Sequence, residues 1–126
     1  MPLINTMGIL RTFVPSLDYV VEKQFYKDIG FQLGWEGDDM CVMYVGEQSF
    51  YLQRYYVKDW ADNFMMFLEV EDVDKWYAHL EMLSLKEKYE GIKMTEPVDE
   101  LWGRVCRLIT PSGVLWHFGT FAEADT

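Results

Sequence analysis

The chain runs twice through one order of elements, and this internal repeat limits its possible folds more than any other feature. From about Ile9 to Tyr56 the apolar pattern reads strand, helix, then three strands. Ile9–Val14 is the first strand, ended by Pro15. Ser16 or Asp18 caps a helix with Val21, Phe25 and Ile29 on one face, and Gly30 stops it. Phe31–Trp35, Met40–Val45 and Ser49–Tyr56 follow as strands. The second half repeats the order: Phe64–Val70 is a strand, and Asp72 caps a helix carrying Val73, Trp76, Tyr77 and Leu80. After the charged stretch LKEKYEG come Ile92–Thr95, Val105–Ile109, the turn TPSG and Val114–Phe118, with YVKDWADN connecting the halves. A shift of 65 residues lays Cys41 on Cys106 and the turn VGEQS against TPSGV.

One such module alone leaves a bare strand edge and a half-covered face, so two must combine. The expectation is an α+β fold of two paired βαβββ modules, about 9–56 and 64–119, in one domain spanning 1–126. Its strands would form a curved eight-stranded mixed sheet around a cleft, with the helices outside.

Composition narrows the function. Half of the residues are hydrophobic, which excludes disorder, and no apolar run reaches the roughly 18 residues that a membrane helix needs. The N-terminal stretch MPLINTMGILRTFVPSLD lacks the marks of a secretory leader, so a cytoplasmic location is expected. A net charge of −10 repels nucleic acid and anionic lipid and favours a cationic partner. Neither Cys41 nor Cys106 belongs to a CxxC pair, and both read as reduced core thiols. No phosphate loop, Ser-His-Asp arrangement or basic-aromatic strip is present. Aromatic residues make up 17% of the chain, enough to stack on a flat ligand or to build a large interface.

The segments FYKDIGF, VEDVDKWYAHL and ELWGRVCRLITPSGVLWHF, in this order, resemble the vicinal oxygen chelate superfamily. That group includes glyoxalase I, extradiol dioxygenases, fosfomycin-resistance enzymes and bleomycin-binding resistance proteins. The resemblance runs from about Leu10 to Phe118. It implies the paired βαβββ fold, assembled as a homodimer, and it leaves activity open because one fold hosts many functions.

The resemblance also implies where a metal would be held, by His, Glu or Gln on the first and last strands of each module. Those positions fall near Arg11 or Thr12, near Leu52 or Gln53, at Met65, and at His117. A divalent ion needs three or more suitable donors. Arginine repels a cation and a thioether suits soft metals, so only His117 and, weakly, Gln53 qualify. No metal or other cofactor is therefore expected, and His117 is read as lining the cleft. His79, on the second helix, is expected to face solvent.

Strand alternation selects the other cleft residues. Phe50 and Leu52 pack, turning Tyr51, Gln53 and Tyr55 to the cleft. Cys106 and Leu108 pack, leaving Val105 and Arg107. Trp116 and Phe118 pack, and His117 points inward. Met65 joins this set, Trp60 sits over the mouth and Trp102 at the opposite lip. Each has a structural reading as well. Tyr51 and Tyr55 suit an edge strand, Trp60 a dimer interface, Trp102 a ring covering the sheet, and Arg107 an ion pair. Trp35, Trp76 and Trp116 read as core.

The expected function is a metal-free binding protein, similar to the bleomycin-resistance branch, that captures a small aromatic, cationic compound as a homodimer. The alternative is a lyase, isomerase or dioxygenase with a divalent metal near His117, helped by Gln53 and by Glu69 or Glu47. A third reading is an interaction subunit whose aromatic residues build the oligomer.

Overall fold

A computed structural model of the chain describes residues 8–122. The N-terminal residues 1–7, part of the stretch read as lacking a leader, lie outside the described residues. The first module comprises β1 (Phe13–Pro15), α1 (Tyr19–Asp28), β2 (Gln32–Glu36), β3 (Met40–Val45) and β4 (Gln48–Gln53). A short helix, α2 (Lys58–Asp62), occupies the connection. The second module comprises β5 (Met65–Glu69), α3 (Val73–Met82), a single-turn α4 (Leu85–Lys88), β6 (Lys93–Glu100), β7 (Gly103–Ile109) and β8 (Leu115–Phe121).

Both long helices start where a carboxylate can take up a free backbone N–H. Asp18 accepts from the Val21 amide at 3.2 Å, and Asp72 accepts from the Lys75 amide at 3.1 Å. Gly30, at φ 111°, takes the left-handed conformation that ends α1.

The α+β class and the two βαβββ modules are present, and the eight strands form two four-stranded mixed sheets. Their orders are β1-β4-β3-β2 and β5-β8-β7-β6. In each, the first strand lies parallel to the last and the remaining pairs are antiparallel. The register repeats as well. Cys41 faces Leu52 and Cys106 faces Phe118, so the offset between modules grows by one residue across the longer TPSG turn.

One face of each sheet is covered. Val14, Cys41, Met43, Phe50 and Leu52 lie under α1 residues Tyr19, Phe25, Tyr26 and Ile29, while Cys106, Leu108, Trp116 and Phe118 pack with Val73 and Leu80 of α3. These residues make one hydrophobic cluster, and burial of each large side chain contributes about 1.5–3 kcal/mol. Within the chain the modules therefore join through their covered faces. The Trp116 Nε1–H donates to the Tyr26 hydroxyl at 3.0 Å, and the Ser112 amide donates to Glu22 Oε1 at 3.1 Å.

Several expectations need correction. The first strand is only three residues long, and β4 ends at Gln53, which leaves Tyr55 and Tyr56 outside it. On α1, Val21 is exposed and Glu22 is fully buried, because the stripe Tyr19, Glu22, Tyr26, Ile29 faces the core. Trp35 is 60% exposed on the edge strand β2 and is not core, whereas Trp116 is 2% exposed. Trp76 is half-buried against Phe118. Cys41 and Cys106 are buried free thiols. His79 is exposed, with its Nε2 3.0 Å from the Ile29 carbonyl oxygen. Among the described residues no helix is long and apolar enough to cross a membrane.

Candidate ligand-binding site

The uncovered face of each sheet carries a stacked ring pair with an arginine against one of its rings. In the second module, alternation turns Met65, Phe67 and Glu69 of β5 to this face, with Leu115, His117 and Gly119 of β8 beside them. Phe67 stacks on His117 at 6.1 Å and 22°. Trp102 and Phe121 close around Phe67, with ring centroids 5.6 Å from it in both cases. Gly119 makes room for this group, since a Cβ there would lie 2.6 Å from Phe67 Cζ.

Arg107 stands across the ladder from His117 and donates through Nε to His117 Nδ1 at 3.1 Å. Its other arm lies 3.7 Å from Glu100. A guanidinium N–H can only donate, so Nδ1 is an acceptor and the proton of the neutral ring sits on Nε2. Burial, and then the Arg107 charge, push the His117 pKa below the usual histidine value of 6.5. His117 is thus a neutral ring with one N–H to offer.

The first module builds the same platform from other residues. Phe13 stacks on Tyr51 at 5.0 Å and 24°, and Phe13↔Tyr51 and Phe67↔His117 are corresponding parallel pairs. Here the arginine comes from ahead of β1. Arg11 donates through Nε to the Ser49 hydroxyl at 2.8 Å and sits 5.4 Å from the Tyr51 ring centre. Tyr44 flanks it, with its ring laid over Gly34, where a Cβ would come within 2.4 Å.

The structure gathers the expected site residues into three groups. Tyr51 and Gln53 share the uncovered face of the first sheet, and Met65, Arg107 and His117 share that of the second, with Trp102 at its edge. Tyr55 does not join Tyr51 and Gln53. It lies beyond β4, 56% exposed, with its ring 6.0 Å from Trp60, which stands edge-on to Phe64 at 5.5 Å. Val105 is fully buried and offers nothing to a ligand. Among the described residues no hydrogen bond, ion pair or ring contact joins the two uncovered faces. Sequence reasoning passed over Phe13, Tyr44, Phe67 and Phe121 and weighed Arg11 only as a metal position. Strand alternation from Met65 would have flagged Phe67, but Phe121 lies past the expected strand end.

The donor set does not fit a divalent cation. Arg11 places a guanidinium near one implied ligand position, and Met65 offers a thioether that is 63% exposed. His117 Nδ1 is occupied by Arg107, and its Nε2 carries the proton. Among the described residues no three His, Cys, Asp or Glu side chains gather as a metal site.

No family model matches the chain, and no curated protein matches it. Solved structures do. A bleomycin-binding protein complexed with bleomycin is 18% identical, with a TM-score of 0.77 over 91% of this chain and 99% of that one. A bleomycin resistance determinant encoded on the transposon Tn5 is 18% identical, with a TM-score of 0.78 over 92% and 100%. An antibiotic binding protein from Streptomyces sp. CB03234 is 20% identical, with a TM-score of 0.73 over 94% and 99%. The chain has the two-module fold of the bleomycin-binding and bleomycin-resistance proteins, the fold implied by its resemblance to the vicinal oxygen chelate superfamily.

Proposed function

We propose that the protein captures a flat aromatic small molecule stoichiometrically and without a metal, as an antibiotic-sequestering protein does. The observation that carries this reading is the pair of exposed ring platforms, Phe13 with Tyr51 and Phe67 with Trp102 and Phe121, left uncovered on sheets whose other faces are packed. Exposed stacked rings cost solvation and recover it when a flat ligand covers them. The similarity to structures of a bleomycin-binding protein and an antibiotic binding protein supports the same reading. The net charge of −10 supports a cationic group on the ligand, which Glu69 and Glu100 at the second platform would meet. A ring face adds about 0.5–2 kcal/mol to such a cation.

A homodimer completes the site in this proposal. Phe13, Met65, Phe67 and Phe121 are each 45–63% exposed in the single chain, and among the described residues no contact between the two faces covers them. A second copy laid with its first platform over the second platform of its partner would enclose a ligand between the rings of both.

The test is calorimetric titration of the chelator-treated protein with bleomycin and a panel of flat aromatic amines, beside light scattering for mass. Saturable binding at one ligand per chain by a particle of twice 15.0 kDa is the expected result. No saturable binding by any compound overturns the reading.

A further inference from the structure

We infer that the first platform recognises an acidic oxygen on the ligand: the Arg11 guanidinium, with the Tyr44 and Tyr51 hydroxyls, takes a carboxylate or similar group of a flat aromatic molecule whose rings lie on Phe13. This rests on the capture reading and names the ligand class at one end of it. The chain has four arginines. Arg54, Arg104 and Arg107 each pair with a carboxylate, and Arg11 has no such partner among the described residues, in a chain carrying 21 acidic side chains. A cation that no described carboxylate pairs, in so acidic a protein, is available to a ligand.

The geometry fits a planar acid. The Ser49 hydroxyl holds Nε at 2.8 Å and so fixes the fork, while the two terminal nitrogens reach the phenol oxygens of Tyr51 and Tyr44 only at 3.5 and 3.4 Å. Those long contacts leave the terminal N–H groups free to improve. Each phenol that accepts from the guanidinium has its own proton to donate elsewhere, so two O–H groups flank the fork. An acidic oxygen placed there accepts from a guanidinium and from two phenols, the charge-assisted arrangement that carboxylates favour. Phe13, 47% exposed and stacked on Tyr51, supplies the surface for the ring that bears the acid. A cationic group on the same molecule would then point away, toward the acidic rim.

The experiment compares 2-naphthoate, 2-naphthamide and 2-naphthylmethylamine on the intact protein by calorimetry at low salt, with Arg11→Gln and Arg11→Lys beside the wild type. The wild type is expected to bind the naphthoate about tenfold tighter than the amide despite its net negative charge, as a charge-assisted bond does. Arg11→Gln should abolish that preference, so that acid and amide bind alike, and Arg11→Lys should retain part of it. Equal affinities for acid and amide in the wild type, or a preference that survives in Arg11→Gln, overturn the inference while capture stands. Absence of binding by all three compounds, where bleomycin or an aromatic amine does bind, overturns this inference alone, and absence of binding by every compound overturns the capture reading with it.

Discussion

Arg107 donates through Nε to Nδ1 of His117 at 3.1 Å, and this bond decides the chemistry of the only histidine on an uncovered face. It fixes one tautomer, opposes protonation and blocks a metal at Nδ1. The group that most resembles a catalytic ligand in the sequence becomes a neutral ring stacked on Phe67.

His117 should therefore titrate below 6.5 in the folded protein. Because the folded value is depressed, its contribution to stability is present above the unfolded value and is lost as pH falls through the folded one. NMR of the ring protons should place the His117 titration below 6.5, with the neutral proton on Nε2. Arg107→Gln should raise the value only in part, since burial is the larger cause. A His117 titration at or above 6.5 would contradict the bond.

Glu22 should give the opposite pH dependence. Burial pushes its carboxyl up to about 7, and Oε2 has no hydrogen-bond partner among the described residues. A raised folded value favours the acid form, so the stabilising contribution is full below 4.5 and is lost as pH rises through about 7. Glu22→Gln, a neutral mimic, should gain about 3 kcal/mol on the wild type between pH 4.5 and pH 8 in urea unfolding. A difference that does not change with pH would show that Glu22 stays ionised.

Two glycines should respond differently to alanine. At Gly103 a Cβ would lie 2.0 Å from the Thr120 carbonyl oxygen, a backbone atom that cannot yield. Gly103→Ala should cost about 2–3 kcal/mol. At Gly119 the obstacle is the end of the Phe67 ring, which is 45% exposed and can swing outward. Gly119→Ala should cost about 1 kcal/mol or less and weaken aromatic binding instead. Thermal melts and ligand titrations of both variants separate the two effects.

Tyr26→Phe should destabilise the whole chain by about 1–3 kcal/mol, because it leaves the buried Trp116 Nε1 without an acceptor. A double-mutant cycle with Trp116→Phe should show a combined loss smaller than the sum. Additive losses would mean that the bond between the modules contributes nothing.

Much of the fold was legible in the sequence. The period of two in SFYLQ and LWHF separates packed from uncovered positions, and the structure agrees at Phe50, Leu52, Trp116 and Phe118. Asp18 and Asp72 mark both helix starts because a carboxylate ahead of an apolar stripe has one local use. The pattern misled where local preference was overridden. Tyr55 continues the alternation of β4, but its carbonyl accepts from the Ser16 amide and the chain has already left the ladder. Trp35 is apolar enough for a core yet lies on an edge strand.

The sequence by itself determined two modules of one topology, which residues on each strand share a face, and which residue types stand where the resemblance implies metal ligands, since all of these depend on residue type and spacing along the chain. Only the tertiary structure decided that the eight strands split four and four, that the covered faces meet through Tyr26, Trp116 and Glu22, and that Arg11 and Arg107 each come to rest against a ring. These outcomes depend on contacts between positions some 10 to 90 residues apart, at distances of a few ångströms that no local pattern encodes.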